Sequence, residues 1–187
     1  LYTRAGLAAA TDSVRDALTA YHATAPLRPG MPREELRGRL RLEPQPFAEL
    51  MARLSRNGLV AERGSAAGLA SHSPALTPPQ EEAATAFLEA LRETPFSPPT
   101  DRAPEGDVLA FLEGAGEVVR TGNLIFAAEA YDEFVDRIKA HFKKHETITL
   151  AQARDMFGTS RRYAQALLEH LDAKHITRRV DDVRVLR

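Results

Sequence analysis

The chain has 187 residues, 43% hydrophobic and 27% charged, which fits one ordinary globular domain or several minimal ones. The absence of cysteine excludes disulfides, thiolate metal sites and cysteine nucleophiles, and apolar runs of only a few residues exclude a membrane-spanning helix, so a cytoplasmic protein with no membrane partner is expected. The net charge of -1 conceals an asymmetry: residues 137–187 carry 12 Lys/Arg against 6 Asp/Glu, a net of +6, and the remainder 13 against 20, a net of -7, so a polyanion is drawn to the C-terminal end and repelled by much of the rest.

Clusters of proline and small residues near 25–32, 43–46, 71–79 and 94–104 mark loops and unit boundaries. Before the first of them, Val14, Leu18 and Tyr21 lie on one face of a helix; Leu36 and Leu40 follow on a second, and Phe47, Leu50, Met51 and Leu54 on a third. Asn57-Gly58 closes that third helix, and Leu59-Val60 opens a hairpin whose tip is expected in the small-residue stretch 64–68. The next segment has a first helix over 80–92, carrying Phe87, Leu88 and Leu91. Its second helix is missing or replaced by the Pro-rich loop at 94–104, with Phe96 as a loop anchor or, alternatively, a docking residue, and its third, over 107–113, is short. Val118-Val119, a Thr121-Gly122-Asn123 turn and Leu124-Ile125-Phe126 then form a hairpin.

The last segment is the most regular. Tyr131, Phe134, Val135, Ile138 and Phe142 fall at i, i+3, i+4, i+7 and i+11 on a first helix. Thr149 caps a second carrying Leu150, Ala153 and Phe157, and Gly158 ends it where left-handed backbone is cheap. Thr159 or Ser160 caps a third, with Tyr163, Ala164, Leu167, Leu168 and Leu171 on its inner face. The pattern then changes to period two around an Asp181-Asp182 turn, with Ile176 and Val180 on one arm and Val183 and Val185 on the other. Three helices and a hairpin, with only a short turn between the second and third helices, is the winged-helix order. The chain therefore reads as mainly α with small β-hairpins, in three tandem winged-helix modules at 1–74, 75–128 (with a degenerate second helix) and 129–187.

Arg161 and Arg162 stand in the first turn of the presumed recognition helix, where such helices present side chains to nucleic acid. Two arginines there oppose the helix dipole, a small cost that asks for a reason. Arg154 either meets the same ligand or pairs with Asp155. Arg178, Arg179 and Arg184 lie on the hairpin; by alternation Arg178 shares a face with Ile176 and Val180, so one of the three is a candidate for a packed, structural arginine. Lys143 and Lys144 complement the C-terminal dipole of the first helix, with Lys143 a further contact candidate.

His141 and His145 are spaced i, i+4, and His170 lies near His175, but with no cysteine and no His-Glu-x-x-His pattern no metal site is expected. There is no Gly-x-x-x-x-Gly-Lys loop, no Gly-x-Ser-x-Gly and no arranged nucleophile, so no catalytic residue and no cofactor are assigned. On the residues alone the last module reads equally as a DNA-binding regulator, and the two preceding modules as a spacer or protein-interaction array.

The pieces Arg154-Asp155, Gly158-Thr159-Ser160-Arg161-Arg162-Tyr163-Ala164, Leu168-Glu169-His170-Leu171-Asp172 and Thr177-Arg178-Arg179-Val180 occur in order. They resemble the C-terminal winged-helix module of bacterial selenocysteine-specific elongation factors, the SelB family. Tyr21-His22, the stretch Pro26-Leu27-Arg28-Pro29-Gly30-Met31-Pro32, and Glu35-Leu36-Arg37 are similar to an earlier module of that family. The resemblance implies the last three modules of a tail whose final module grips the selenocysteine-insertion (SECIS) hairpin of a selenoprotein mRNA. The rest of the family's length is a GTPase part that uses GTP and magnesium, carries selenocysteinyl-tRNA and works on the ribosome. The start at Leu1 rather than Met agrees with a piece of something longer, and a monomer is expected. The resemblance assigns RNA binding to Arg154, Gly158, Thr159, Ser160, Arg161, Arg162 and Tyr163. Arg162 stands where family members usually have Lys, and Asp181-Asp182 is more acidic than their usual turn.

Overall fold

The computed structural model describes residues 3–187. The chain folds as two compact units that divide between Thr77 and Pro78.

In the first unit, helix α1 (Arg4–Thr24) is capped by Thr3, whose hydroxyl accepts from the Gly6 amide at 3.1 Å. It is followed by strand β1 (Met31–Pro32), α2 (Arg33–Leu40), α3 (Pro44–Arg56), β2 (Val60–Arg63) and β3 (Ala66–Leu69). Pro44 starts α3 at a position where a missing amide proton costs nothing. Val14, Leu18, Leu36, Phe47, Leu50 and Met51, on the helical faces expected from their spacing, form one buried cluster that Met31 of β1 joins. The antiparallel sheet has the order β1-β3-β2. The hairpin turn is Gly64-Ser65, so the stretch Ala66-Ala67-Gly68, expected at the tip, is strand instead. Its residues are small for a packing reason: Ala67 is fully buried, and a Cβ on Gly68 would overlap the Pro29 carbonyl and one on Gly30 the Ala67 carbonyl.

The second unit begins with α4 (Pro78–Glu93), continues through the Pro-rich loop, and resumes with α5 (Gly106–Ala115) and the hairpin β4 (Val118–Thr121) and β5 (Leu124–Ala127). No helix lies between α4 and α5. Helix α6 (Ala128–Phe142) starts directly from β5. Strand β6 (Ile148–Thr149), α7 (Leu150–Phe157), α8 (Arg161–Ala173), β7 (Thr177–Val180) and β8 (Val183–Leu186) complete it, with sheet order β6-β8-β7. Leu124 and Phe126 of β5 belong to the same buried cluster as Phe134, Ile138, Phe157, Leu167, Leu168 and Leu171. One core therefore runs across residue 128.

Candidate nucleic-acid interface

Helix α7 opens with a reciprocal capping box: the Gln152 amide donates to the Thr149 hydroxyl at 3.1 Å, and the Thr149 amide donates to Gln152 Oε1 at 2.8 Å. It ends at Gly158, whose φ of 56° is left-handed and whose Cβ position is open space. The left-handed Gly158 turns the chain out of α7 toward α8. Ser160 is the N-cap of α8 by backbone geometry, without a side-chain capping bond.

Arg161 and Arg162 follow, both exposed. Among the described residues neither guanidinium makes an ion pair or hydrogen bond; Arg162 lies over the Tyr163 ring at 5.8 Å. Arg161 lines three adjoining grooves. One runs between α8 and the β7–β8 wing, with Gln165, Glu169, Arg179, Asp182 and Arg184. A second passes the start of α7 and includes Arg154 and Asp182. The third lies between α8 and the β4–β5 turn at Asn123. Arg154 pairs with its neighbour Asp155 at 2.6 and 2.8 Å. At half exposure such a pair is worth little, about 1 kcal/mol or less, so a phosphate can displace the carboxylate.

Two residues of the turn face inward. Thr159 Oγ1 donates to the Phe96 carbonyl and lies 2.9 Å from the Ser97 hydroxyl, and the Tyr163 hydroxyl donates to the Pro98 carbonyl at 3.1 Å. Phe96 packs edge-on against Phe157 (centroids 4.8 Å apart), and Arg137 lies over the Phe157 ring at 4.4 Å and donates to the Met156 carbonyl. The Pro-rich loop is thus fastened across the α7–α8 turn, with Phe96 as its anchor. This leaves Arg154, Gly158, Ser160, Arg161 and Arg162 as the exposed part of the expected surface.

The wing needs a correction. Arg184, expected as a contact candidate, is 4% exposed: its Nε donates to Asp172 Oδ2 at 3.0 Å, and Asp172 Oδ1 accepts from the buried Thr177 hydroxyl at 2.5 Å. Arg178, which alternation placed with Ile176, is exposed and Val180 is 38% exposed. The backbone turns through the left-handed region at His175 (φ 59°), so Ile176 packs on the core without fixing which face of β7 turns inward. Arg179 pairs in register with Arg184 and shares its face, donating to the Asp181 carbonyl at 2.9 Å. Lys143 is the exposed C-cap of α6 and lines none of the three grooves. His141 Nε2 donates to the Thr147 carbonyl at 3.0 Å, and its ring stacks on that of His145 with centroids 4.4 Å apart.

The family description "Elongation factor SelB, winged helix" matches this chain twice, by the model for the third such domain over residues 140–186 and by that for the second over 15–66. The chain belongs to the SelB winged-helix family. The selenocysteine-specific elongation factor of Desulfomicrobium baculatum is 26% identical over 183 residues, 89% of this chain and 28% of that protein. The chain thus spans just over a quarter of this relative's length. The crystal structure of a bacterial selenocysteine-specific elongation factor, EF-Sec, shares the fold over the whole chain at 16% identity, covering 30% of that structure with a TM-score of 0.54. The mRNA-binding domain of E. coli elongation factor SelB, solved in complex with SECIS RNA, is 20% identical, with coverage of 60% of this chain and 99% of that domain and a TM-score of 0.47. No helix among the described residues of this SelB-family chain is long and apolar enough to cross a membrane.

Proposed function

We propose that this chain is the RNA-binding tail of a selenocysteine-specific elongation factor, holding the SECIS hairpin of a selenoprotein mRNA against the start of α8. The observation that carries this is Arg161: an exposed guanidinium without an ion-pair partner among the described residues, at the meeting of three grooves, with Arg162 and Arg154 beside it. An RNA hairpin suits such a surface because its deep major groove refuses a helix while its loop bases and stem phosphates are open to arginines. Exposed Gly158 and Ser160 let a strand approach the turn closely. The segment binds rather than catalyses; GTP, magnesium, selenocysteinyl-tRNA and ribosome contacts belong to the family's remaining length, in the cytoplasm. The division into modules 1–74, 75–128 and 129–187 is part of this reading, with the first two setting a distance.

Fluorescence anisotropy of a labelled SECIS hairpin tests it, with duplex DNA at the same salt as the comparison. Arg161→Ala with Arg162→Ala is expected to lose about 1–3 kcal/mol for a base contact and to lower the salt slope by about one unit for each phosphate contact. Unchanged hairpin affinity, or tighter binding to duplex DNA, refutes the proposal.

A further inference from the structure

Resting on that reading, we propose that the β4–β5 turn is a second wall of the RNA site, with Asn123 meeting the sugar-phosphate backbone of the strand that Arg161 and Arg162 hold. The groove between them is lined on one side by Asn123 and on the other by Arg161, Arg162 and Gln165. Three observations make it a prepared surface. Gly122 alone takes the positive φ of the turn (63°), so Asn123 is not needed there for its backbone, and its exposed side chain has no hydrogen bond among the described residues. Leu124, next to it, is 1% exposed in the same core as Leu167 and Leu168 of α8, so turn and helix are fixed to each other before any ligand arrives, and little ordering cost remains for binding. At the base of the turn the Thr121 hydroxyl is buried with no hydrogen-bond partner among the described residues, a polar group that costs stability there.

The chemistry of the walls names the ligand. Two guanidinium groups and a carboxamide suit phosphate and 2′-hydroxyl oxygens, which position a nucleic acid without reading its sequence. Glu169, held by Gln165 Nε2 at 2.8 Å, closes the far end of the groove with negative charge. The phosphate therefore lies at the arginine end.

Asn123→Lys in the full chain tests this, because a gain of binding cannot come from misfolding. Against the SECIS hairpin it is expected to tighten binding 3- to 10-fold at low salt and to steepen the slope of log K against log salt by about one unit. The control is Ala140→Lys on the exposed side of α6, which adds the same charge outside the groove. If both lysines act alike, or Asn123→Lys leaves affinity and slope unchanged while Arg161→Ala with Arg162→Ala still weakens binding, the second wall is refuted and the RNA reading stands. If neither the lysine nor the double alanine variant changes hairpin binding, the RNA reading fails and takes this inference with it.

Discussion

Asp172 sets how the wing sits on α8, and its removal has a cost that follows from the burial of its partners. Its carboxylate accepts from Arg184, whose side chain is 5% exposed, while Asp172 itself is 23% exposed. Taking away one partner of a buried pair costs about 3–5 kcal/mol; since water reaches the Asp172 side, the lower end, about 3 kcal/mol, applies to Asp172→Ala. The Thr177 hydroxyl, 1% exposed, loses its acceptor as well and adds about 1 kcal/mol. Arg184→Met leaves the partly exposed carboxylate with water and fills the vacated space, for about 1–2 kcal/mol. The double variant has no stranded guanidinium, so the two costs do not add, and a coupling energy of about 2 kcal/mol is expected. Urea titration followed by hydrogen exchange on peptides covering 161–187 measures it on the second unit alone. A loss below about 1 kcal/mol in Asp172→Ala, or additive single costs, shows that the clamp does not hold the wing.

Phe96→Ala is expected to destabilise the second unit by about 2–3 kcal/mol, short of a full core phenylalanine because the ring is only partly buried. The same exchange measurement reads it, with loss of protection starting at the α7–α8 turn. Gly30→Ala is expected to cost more than Gly158→Ala: the first forces a Cβ into the Ala67 carbonyl, the second meets open space and costs about 1 kcal/mol for its left-handed backbone. Urea midpoints of the two variants rank them. Burial, with His72 and Arg63 nearby, lowers the pKa of His22 below 6.5. Its contribution to the first unit is therefore complete above pH 6.5 and is lost as pH falls through the depressed folded value. Thermal melts between pH 7.5 and 5 are expected to show this fall, flattened in His22→Gln; a first unit equally stable across the range contradicts it.

The helices were legible because their signals are local. Thr149 with Gln152, Gly158, and the spacing of Phe134, Ile138, Leu167 and Leu171 each act within one or two turns of chain, and the fold uses them as expected. Strands β1 and β6 were missed because two residues are too few to show alternation, and each exists only through its pairing with a distant hairpin. Small residues at 66–68 suggested a turn when their role is close backbone approach, a contact made from Gly68 to Pro29. The wing misled for a related reason: Val180 and Val183 looked like the inward set, whereas the side turned to α8 carries Thr177 and Arg184, made acceptable inside by the Asp172 carboxylate, 5 and 12 residues away. Arg161 and Arg162 were legible from their place on α8. Their grooves were not, since Asn123 and Asp182 reach them through the fold alone.

The Pro-rich loop links these results. Where the first unit has β1 and α2, residues 94–105 form neither strand nor helix, and that side of the middle segment lacks a helix to bury its core. Its Phe96 instead enters the core shared with α6, α7 and α8, and its carbonyls take the hydroxyls of Thr159 and Tyr163. Each prolyl residue removes a backbone donor, which leaves this loop rich in acceptors and suited to hydroxyl donors rather than to a helix or sheet partner. Loss of the second helix and fixation of the α7–α8 turn are thus one structural exchange. It leaves the β4–β5 turn beside Arg161, so Asn123 and the start of α8 line one groove.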